Sequence, residues 1–139
     1  MAVDSSGTVY VADSGNNRIR KITPADRIED RVVSTFAGST EGFADGIGTE
    51  AQFDLPFGVA VDSSGNVYVA DIANHRIRKI TPAGVVSTFV GTGSAGHADG
   101  TGTEAQFNYP NGGAVDSSGN VYVADYGNNR IRKITPADK

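Results

Sequence analysis

The stretch AVDSSGNVYVADIANHRIRKITP, Ala60 to Pro82, occurs three times in this chain of 139 residues. AVDSSGTVYVADSGNNRIRKITP precedes it at Ala2 to Pro24, and AVDSSGNVYVADYGNNRIRKITP follows it at Ala114 to Pro136. The first and second copies continue into VVSTF, at Val32 and at Val85, whereas the sequence ends at Lys139 shortly after the third copy. A repeat of roughly 50 residues predicts an array of similar units, each packed against its neighbours.

Each unit contains four short apolar runs that read as β-strands. In the second copy these runs are Gly58–Asp62, Val67–Asp71, Arg76–Thr81 and Val85–Val90. They are rich in valine and isoleucine, and turns containing glycine, proline, asparagine or aspartate separate them. We therefore expect an antiparallel meander of four strands in each unit. A glycine-rich connector should join successive units, with one helical turn at TEAQF, Thr49–Phe53 and Thr103–Phe107.

Composition excludes several classes of protein and of site. The chain has no cysteine, which rules out disulfides and thiolate metal sites. Its net charge of −4 argues against binding to nucleic acid or to an anionic membrane surface. No apolar run approaches the ~20 residues needed to cross a bilayer, and the N-terminus does not resemble a signal peptide. We expect a soluble protein, and its compartment stays open.

The repeated unit resembles the NHL repeat, the blade of NHL-type β-propellers. GVAVDSSGNVYVADIANHRIRKIT carries the resemblance, and NHRI at Asn74 to Ile77 surrounds the triplet that names the family. The resemblance implies an all-β propeller with blades of four antiparallel strands. It does not fix a function, because members of the family include interaction platforms, sensor domains, RNA binders and a lyase.

The repeat count predicts about three blades in one domain, residues 1–139, which amounts to half a propeller. We place the blades at about 2–38, 57–91 and 112–136, with connectors at 39–56 and 92–111, and expect the last blade to lack its outer strand. Propellers generally need about four to eight blades to close. We therefore expect a homodimer with six blades, whose interface includes Tyr10 and Tyr122. The alternative is a piece of a larger protein, and the near-identical copies suit either a natural protein or an engineered, consensus-like one.

A carboxylate and an arginine flank the turn between the second and third strands of every unit. We interpret them as structural turn and ion pairs, since a residue present in every blade is typical of a folding device. The pairs are Asp13 with Arg18, Asp71 with Arg76, and Asp125 with Arg130.

Metal and catalytic motifs are weak in this sequence. The segments ADGIGTE and ADGTGTE, Ala44 to Glu50 and Ala98 to Glu104, offer too few alternating oxygen ligands for a calcium loop. His75 and His97 are the only histidines, and neither has zinc-ligand spacing to another. The lyase branch of the family depends on several metal-binding histidines. We therefore predict no cofactor, no metal and no catalysis.

Loop positions that differ between the copies form the candidate ligand face. Variation on a constant scaffold is what a binding surface shows, although neutral drift in loops gives the same pattern. The candidates are Ser14, Asn17, Ile72, His75, Tyr126, Asn129, Phe57 and Tyr109. We predict a non-catalytic scaffold or binding module completed by self-assembly. A ligand-sensing or protein-interaction domain taken from a larger protein is the alternative, and a metal-dependent lyase is a further rival.

Overall fold

The computed structural model describes residues 1–136 and contains three antiparallel sheets, one for each copy of the repeat. We number these sheets blade 1, blade 2 and blade 3. Within each copy of the repeat the strands are adjacent in chain order, and the first strands of the second and third copies pack against each other on the inner side. Blade 1 contains β1 (Ala2–Val3), β2 (Val9–Asp13), β3 (Arg18–Thr23) and β4 (Val32–Gly38). The expected all-β meander is therefore present, with six 3-10 helices of three residues each as its only helical elements in the described chain.

Blade 2 has one strand more than the sequence predicts. Its strand order is β5-β9-β8-β7-β6, in which β5 belongs to the connector from blade 1. Gly46 and Ile47 pair with Val86 and Val85, so the connector adds a short fifth strand to the outer edge. The five strands are β5 (Gly46–Ile47), β6 (Pro56–Val61), β7 (Val67–Asp71), β8 (Arg76–Ile80) and β9 (Val85–Val90).

Blade 3 has three strands in the part of the chain that the structure describes. They are β10 (Pro110–Val115), β11 (Val121–Asp125) and β12 (Arg130–Ile134). The predicted helical turns are 3-10 helices at Gly48–Glu50 and Gly102–Glu104, and the residues after them are not helical. No helix within residues 1–136 is long and apolar enough to cross a membrane.

An aspartate organises the hairpin between the first two strands of every blade. In blade 2, Asp62 Oδ1 accepts hydrogen bonds of 2.9 Å from the backbone N–H groups of Ser64 and Asn66, and Tyr68 Oη donates to Asp62 Oδ2 at 3.0 Å. Burial and this bond to a carboxylate raise the pKa of Tyr68 to about 12. Burial opposes the charge on Asp62, but the hydrogen bonds from Asn66, Tyr68 and Ser64 outweigh it and lower the pKa of Asp62.

The turn between the second and third strands has the same conformation in all three blades. Each contains a 3-10 helix, at Ser14–Asn16, Ile72–Asn74 and Tyr126–Asn128. The next residue, Asn17, His75 or Asn129, has a left-handed backbone with φ of 56°, 52° and 56°. Asparagine tolerates this conformation better than most residues, which explains its recurrence here.

The apolar core consists of two joints between successive blades. In the joint between blades 1 and 2, Tyr10 and Ile19 pack towards Val67 and Val69. In the joint between blades 2 and 3, the matching Tyr68 and Ile77 pack towards Val121 and Val123. The tyrosine face of each blade therefore meets the valine face of the next one.

This arrangement corrects one prediction. Tyr10 is buried inside the joint between blades 1 and 2, with its ring centroid 5.2 Å from that of Phe36, so its assignment to an assembly interface was wrong. Both faces of the VYVAD strand are apolar, and the sequence does not say which face meets the next blade. Tyr122 lies half-buried on the outer face of blade 3, where its role in assembly stays a prediction.

Candidate functional site: the loop face and the two end blades

The repeated carboxylates pair with a different arginine from the one predicted. Asp13 bonds to Arg20, Asp71 to Arg78 and Asp125 to Arg132, with N–O distances of 3.0, 2.8 and 2.8 Å. The predicted partners Arg18, Arg76 and Arg130 instead donate to the backbone oxygens of Asn16, Thr92 and Asn128. Both arginines of each RIR segment lie on the same face of the strand, because side chains alternate. The first one lies at the strand end beside the turn and donates to backbone oxygens, whereas the second donates to the aspartate. In blade 2 the connector residue Phe43 contacts both, with its ring centroid 3.9 Å from the Arg76 guanidinium carbon and 4.6 Å from that of Arg78.

Arg78 joins blade 2 to the connector that precedes it. Its Nη1 donates to Gln52 O and its Nη2 to Ala44 O, at 2.8 and 2.7 Å. Nη2 also forms an ion pair of 2.8 Å with Asp45. The guanidinium carbon lies 4.9 Å from the ring centroid of Phe53, which is close enough for a cation–π contact. Arg78 therefore contacts a carboxylate, two backbone carbonyls and an aromatic ring of the connector.

Arg132 makes the same contacts in blade 3. It donates to Gln106 O and Ala98 O at 2.8 and 3.0 Å, and pairs with Asp99 at 2.7 Å. The Phe107 ring centroid lies 5.0 Å from its guanidinium carbon. The second connector therefore lies on blade 3 as the first lies on blade 2.

The matching arginine of blade 1 is in a different environment. The side chain of Arg20 is 32% exposed, whereas those of Arg78 and Arg132 are 0% and 9% exposed. Hydrogen bonds from Asn16 and Arg20 lower the pKa of Asp13, while burial raises the pKa of Asp71 despite its bonds to Asn74, Asp54 and Arg78. The same residue types therefore form a partly open pair in blade 1 and a closed one in blade 2.

The turns of one blade also hold the connector that leads into the next blade. Asn17 Oδ1 accepts from Leu55 N at 2.9 Å, and Ser14 Oγ donates to Pro56 O at 2.6 Å. At the second joint, His75 Nδ1 accepts from Tyr109 N at 3.1 Å, and the two rings pack edge to face with centroids 4.8 Å apart. Four of the predicted ligand-face residues therefore have a structural contact: Ser14, Asn17, His75 and Tyr109.

Exposure differs among the candidates. Phe57, Tyr109, Tyr126 and Asn129 are exposed, and Ile72 is half-buried. Leu55 is also exposed, and it is not among the predicted residues although it aligns with Tyr109, so the same difference between the copies is a signal for it. Both Leu55 and Tyr109 have positive φ, 56° and 54°, which is uncommon for bulky side chains and marks a constrained backbone. Four apolar side chains of these loops are therefore exposed, namely Leu55, Phe57, Tyr109 and Tyr126.

The two end blades present the two halves of a joint. In blade 3, Ile131 is 73% exposed, whereas the matching Ile77 and Ile19 are 2% and 0% exposed inside the joints. On blade 1, the valine face carries Val9 and Val11, which are half-buried, whereas the matching Val67 and Val69 are buried. One end of the array therefore exposes a tyrosine–isoleucine face, and the other end exposes a valine face.

No group of histidine, aspartate or glutamate side chains within residues 1–136 has a geometry that could hold a metal ion. His75 uses Nδ1 to accept the Tyr109 N–H. Partial burial lowers the pKa of His75, which favours the neutral ring that can accept this bond, although the charge of Asp125 opposes the shift. The position of His75 is therefore explained by its contact with the connector.

Known proteins share both the sequence and the fold of this chain. It is 36% identical over 131 residues to the protein SUPPRESSOR OF QUENCHING 1, chloroplastic, of Arabidopsis thaliana, covering 90% of this chain and 12% of that protein. It is 32% identical over 137 residues to human NHL repeat-containing protein 2, covering 93% of this chain and 19% of that one. The chain therefore spans less than a fifth of the length of these relatives.

Among solved structures, an auxiliary nutrient binding protein from Bacteroides thetaiotaomicron superposes with a TM-score of 0.83 at 26% identity. The match covers 91% of this chain and 34% of that protein. The family model described as NHL repeat matches residues 1–22, 53–80 and 107–134, one match for each blade. This chain is a member of the NHL repeat family, and its fold is three successive blades of a β-propeller.

Proposed function

We propose that this chain is a non-catalytic binding scaffold whose propeller ring is completed by a second copy of itself. The observation that carries the proposal is the contrast between Ile131, which is exposed on blade 3, and Ile77, which is buried at the same position in blade 2. The face of blade 3 around Ile131 has the same sequence pattern as the faces of blades 1 and 2 that pack on the valine face of the next blade. The exposed valine face of blade 1 is therefore a suitable partner for the face around Ile131.

Head-to-tail pairing of these faces gives a ring if two copies close on themselves. Blade 3 of each copy would meet blade 1 of the other, so that both joints are equivalent. Covering Ile131, Tyr122 and Ala124 removes apolar surface from water, the main favourable term in association. Closure also removes the two large apolar faces that an open array presents to solvent.

Substitution of one exposed isoleucine tests this proposal. We expect Ile131→Asp to convert the assembled protein into single chains, because a charge would be buried in the joint without a partner. Ile28→Asp is the matched control, since Ile28 is 76% exposed but lies in the hairpin between β3 and β4. Sedimentation velocity of both variants should show loss of the larger species for Ile131→Asp alone. Equal behaviour of the two variants contradicts the proposed joint.

The second candidate function is ligand or protein binding as part of a larger NHL protein. The exposure of four apolar loop side chains, Leu55, Phe57, Tyr109 and Tyr126, favours it. The likeness to the Bacteroides auxiliary nutrient binding protein also favours it, as does the greater length of the relatives. A folded single chain in the sedimentation experiment would favour this candidate over self-completion.

A further inference from the structure

Every blade contains the same set of three polar residues facing the joint that precedes it, and we call this set the connector socket. The set consists of the aspartate that ends the second strand, the asparagine three residues later and the arginine seven residues after the aspartate. The sockets are Asp13, Asn16 and Arg20 in blade 1, Asp71, Asn74 and Arg78 in blade 2, and Asp125, Asn128 and Arg132 in blade 3.

In blade 2 the socket holds a segment that folds back on itself, with Ala44 paired antiparallel to Gln52, and it does so through all three of its members. Asp71 Oδ1 accepts the backbone N–H of Asp54 at 2.8 Å, and Asn74 Nδ2 donates to Gly42 O at 2.9 Å. Arg78 binds the part of the segment between these two points, as described above. The bound segment is therefore residues 42–54, GFADGIGTEAQFD.

In blade 3 the socket holds a segment of closely similar sequence through equivalent atoms. Asp125 Oδ1 accepts from Asn108 N at 2.8 Å, and Asn128 Nδ2 donates to Gly96 O at 2.8 Å. The bound segment is residues 96–108, GHADGTGTEAQFN. The two occupied sockets share the sequence Ala-Asp-Gly-x-Gly-Thr-Glu-Ala-Gln-Phe, which defines the chemistry that the socket recognises.

The socket of blade 1 has the same internal bonds without a bound segment. Asn16 Nδ2 donates to Asp13 Oδ2 at 2.9 Å, and Arg20 pairs with the same oxygen at 3.0 Å. Within residues 1–136, no backbone N–H binds Asp13 Oδ1, and no carbonyl accepts from Arg20 Nη2. The side chains are therefore already oriented, and the atoms that would contact a segment face solvent.

The outer strand of blade 1, β4, corresponds to β9 of blade 2, the strand with which a connector pairs. In blade 2, connector residues Gly46 and Ile47 pair with Val86 and Val85 on the outer strand β9. The corresponding residues of β4, Val33 and Val32, are exposed. A connector segment of the same kind, bound to the blade 1 socket, would therefore also add a two-residue strand to this edge.

We propose that the blade 1 socket binds in trans a looped acidic segment of the Ala-Asp-Gly-x-Gly-Thr-Glu-Ala-Gln-Phe type, presented by the connector of another NHL repeat. The aspartate of the segment pairs with Arg20, its phenylalanine ring packs on the guanidinium, and its backbone bonds to Asp13 and Asn16. Charge complementarity favours this occupant, because Arg20 has one carboxylate partner where Arg78 and Arg132 have two. The inference does not depend on pairing of two copies, since each internal joint accommodates a connector and a neighbouring blade together.

A peptide from this chain provides the direct test. The probe is a fluorescently labelled synthetic peptide of residues 94–109, SAGHADGTGTEAQFNY, titrated with the whole protein and followed by fluorescence anisotropy. We expect saturable binding that Arg20→Met weakens about tenfold or more, because the variant loses charge-assisted hydrogen bonds. A peptide with asparagine at the position of Asp99 should also bind more weakly.

Arg27→Met is the matched control protein. Arg27 pairs with Glu29 in the hairpin between β3 and β4, so this variant loses the same charge away from the socket. Its binding should equal that of the original protein, and circular dichroism should show that both variants keep the strand content. Lack of saturable binding overturns the proposal, and so does equal binding to Arg20→Met, which would indicate exchange with an internal connector. Peptide binding by a protein that stays a single chain would leave this inference standing while the proposed self-assembly fails.

Discussion

Asp71 and Arg78 lie 2.8 Å apart with both side chains fully buried, whereas the same pair in blade 1, Asp13 and Arg20, is about one-third exposed. The difference arises because a connector covers the pair in blade 2 and not in blade 1. The same Asp–Arg pair is therefore expected to contribute differently to the free energy of unfolding in blade 1 and in blade 2. This contrast within one chain allows each substitution to be compared with a matched control.

The buried pair should contribute much more to stability than the open one. Arg78→Met leaves Asp71 buried without its charged partner, which should lower the free energy of unfolding by about 3–5 kcal/mol. Arg20→Met removes a partly solvated pair and should cost less than about 1 kcal/mol. Urea unfolding of both variants, followed by circular dichroism, measures the difference. Equal losses would mean that the connector contacts of Arg78 add nothing.

Gly58 and Gly112 lie where strands β6 and β10 approach closely, and the two positions differ in the space available for a β-carbon. A β-carbon at Gly58 would lie 2.5 Å from the Gly112 α-carbon and 2.7 Å from the Asn111 oxygen, whereas one at Gly112 meets no atom within 4 Å. We expect Gly58→Ala to lower the free energy of unfolding by about 1–3 kcal/mol, since the backbones of β6 and β10 must move apart. Gly112→Ala should change it by less than about 0.5 kcal/mol. Thermal unfolding checks both, and a harmless Gly58→Ala would show that the two strands are not closely packed.

The neutral ring of His75 should make stability fall in mild acid. Its folded pKa is lowered, chiefly by burial, so below its unfolded value of about 6.5 the unfolded state takes up a proton first. This contribution is complete above pH 6.5 and is lost as pH falls from there through the folded pKa. Urea unfolding between pH 7.5 and pH 5 measures the loss.

His75→Asn is the control for this pH dependence. Asparagine occupies the same left-handed position in blades 1 and 3, and Asn17 makes the equivalent bond to Leu55 N. The variant should keep the fold and lose the part of the pH dependence that comes from residue 75. An unchanged difference in stability between the two pH values would show that other groups produce it.

The strands could be predicted from sequence because their signals are local. Alternating valine, tyrosine and alanine residues after the DSSG turn predicted β7, and its predicted bounds, Val67–Asp71, agree with the structure; the counterparts β2 and β11 lie at the same positions of the repeat. The predicted NHL family and the all-β propeller fold are confirmed. The strand predictions depended on patterns within a few residues of each other, and the prediction of family and fold depended on the threefold repeat of the unit.

The missed features depend on contacts between distant parts of the chain. Gly46 and Ile47 form β5 only because the edge of β9 at Val85 and Val86 lies beside them, and Gly-Ile alone carries no strand signal. The burial of Tyr10 likewise depends on which face of blade 1 meets blade 2. The neighbouring unit decides these two features, and a single repeat does not encode them. The choice of arginine is different, because Asp13 pairs with Arg20 in blade 1 where no connector covers the pair, so that pairing belongs to the repeat itself.

Solution mass tests the central claim, that the end faces of blades 1 and 3 are two halves of one joint. Light scattering behind a sizing column, across a dilution series, measures it without any substitution. We predict a mass of two chains that falls to one chain only on dilution. A monodisperse, folded single chain at every concentration would contradict the claim, because the face around Ile131 would then be stable in water without a partner.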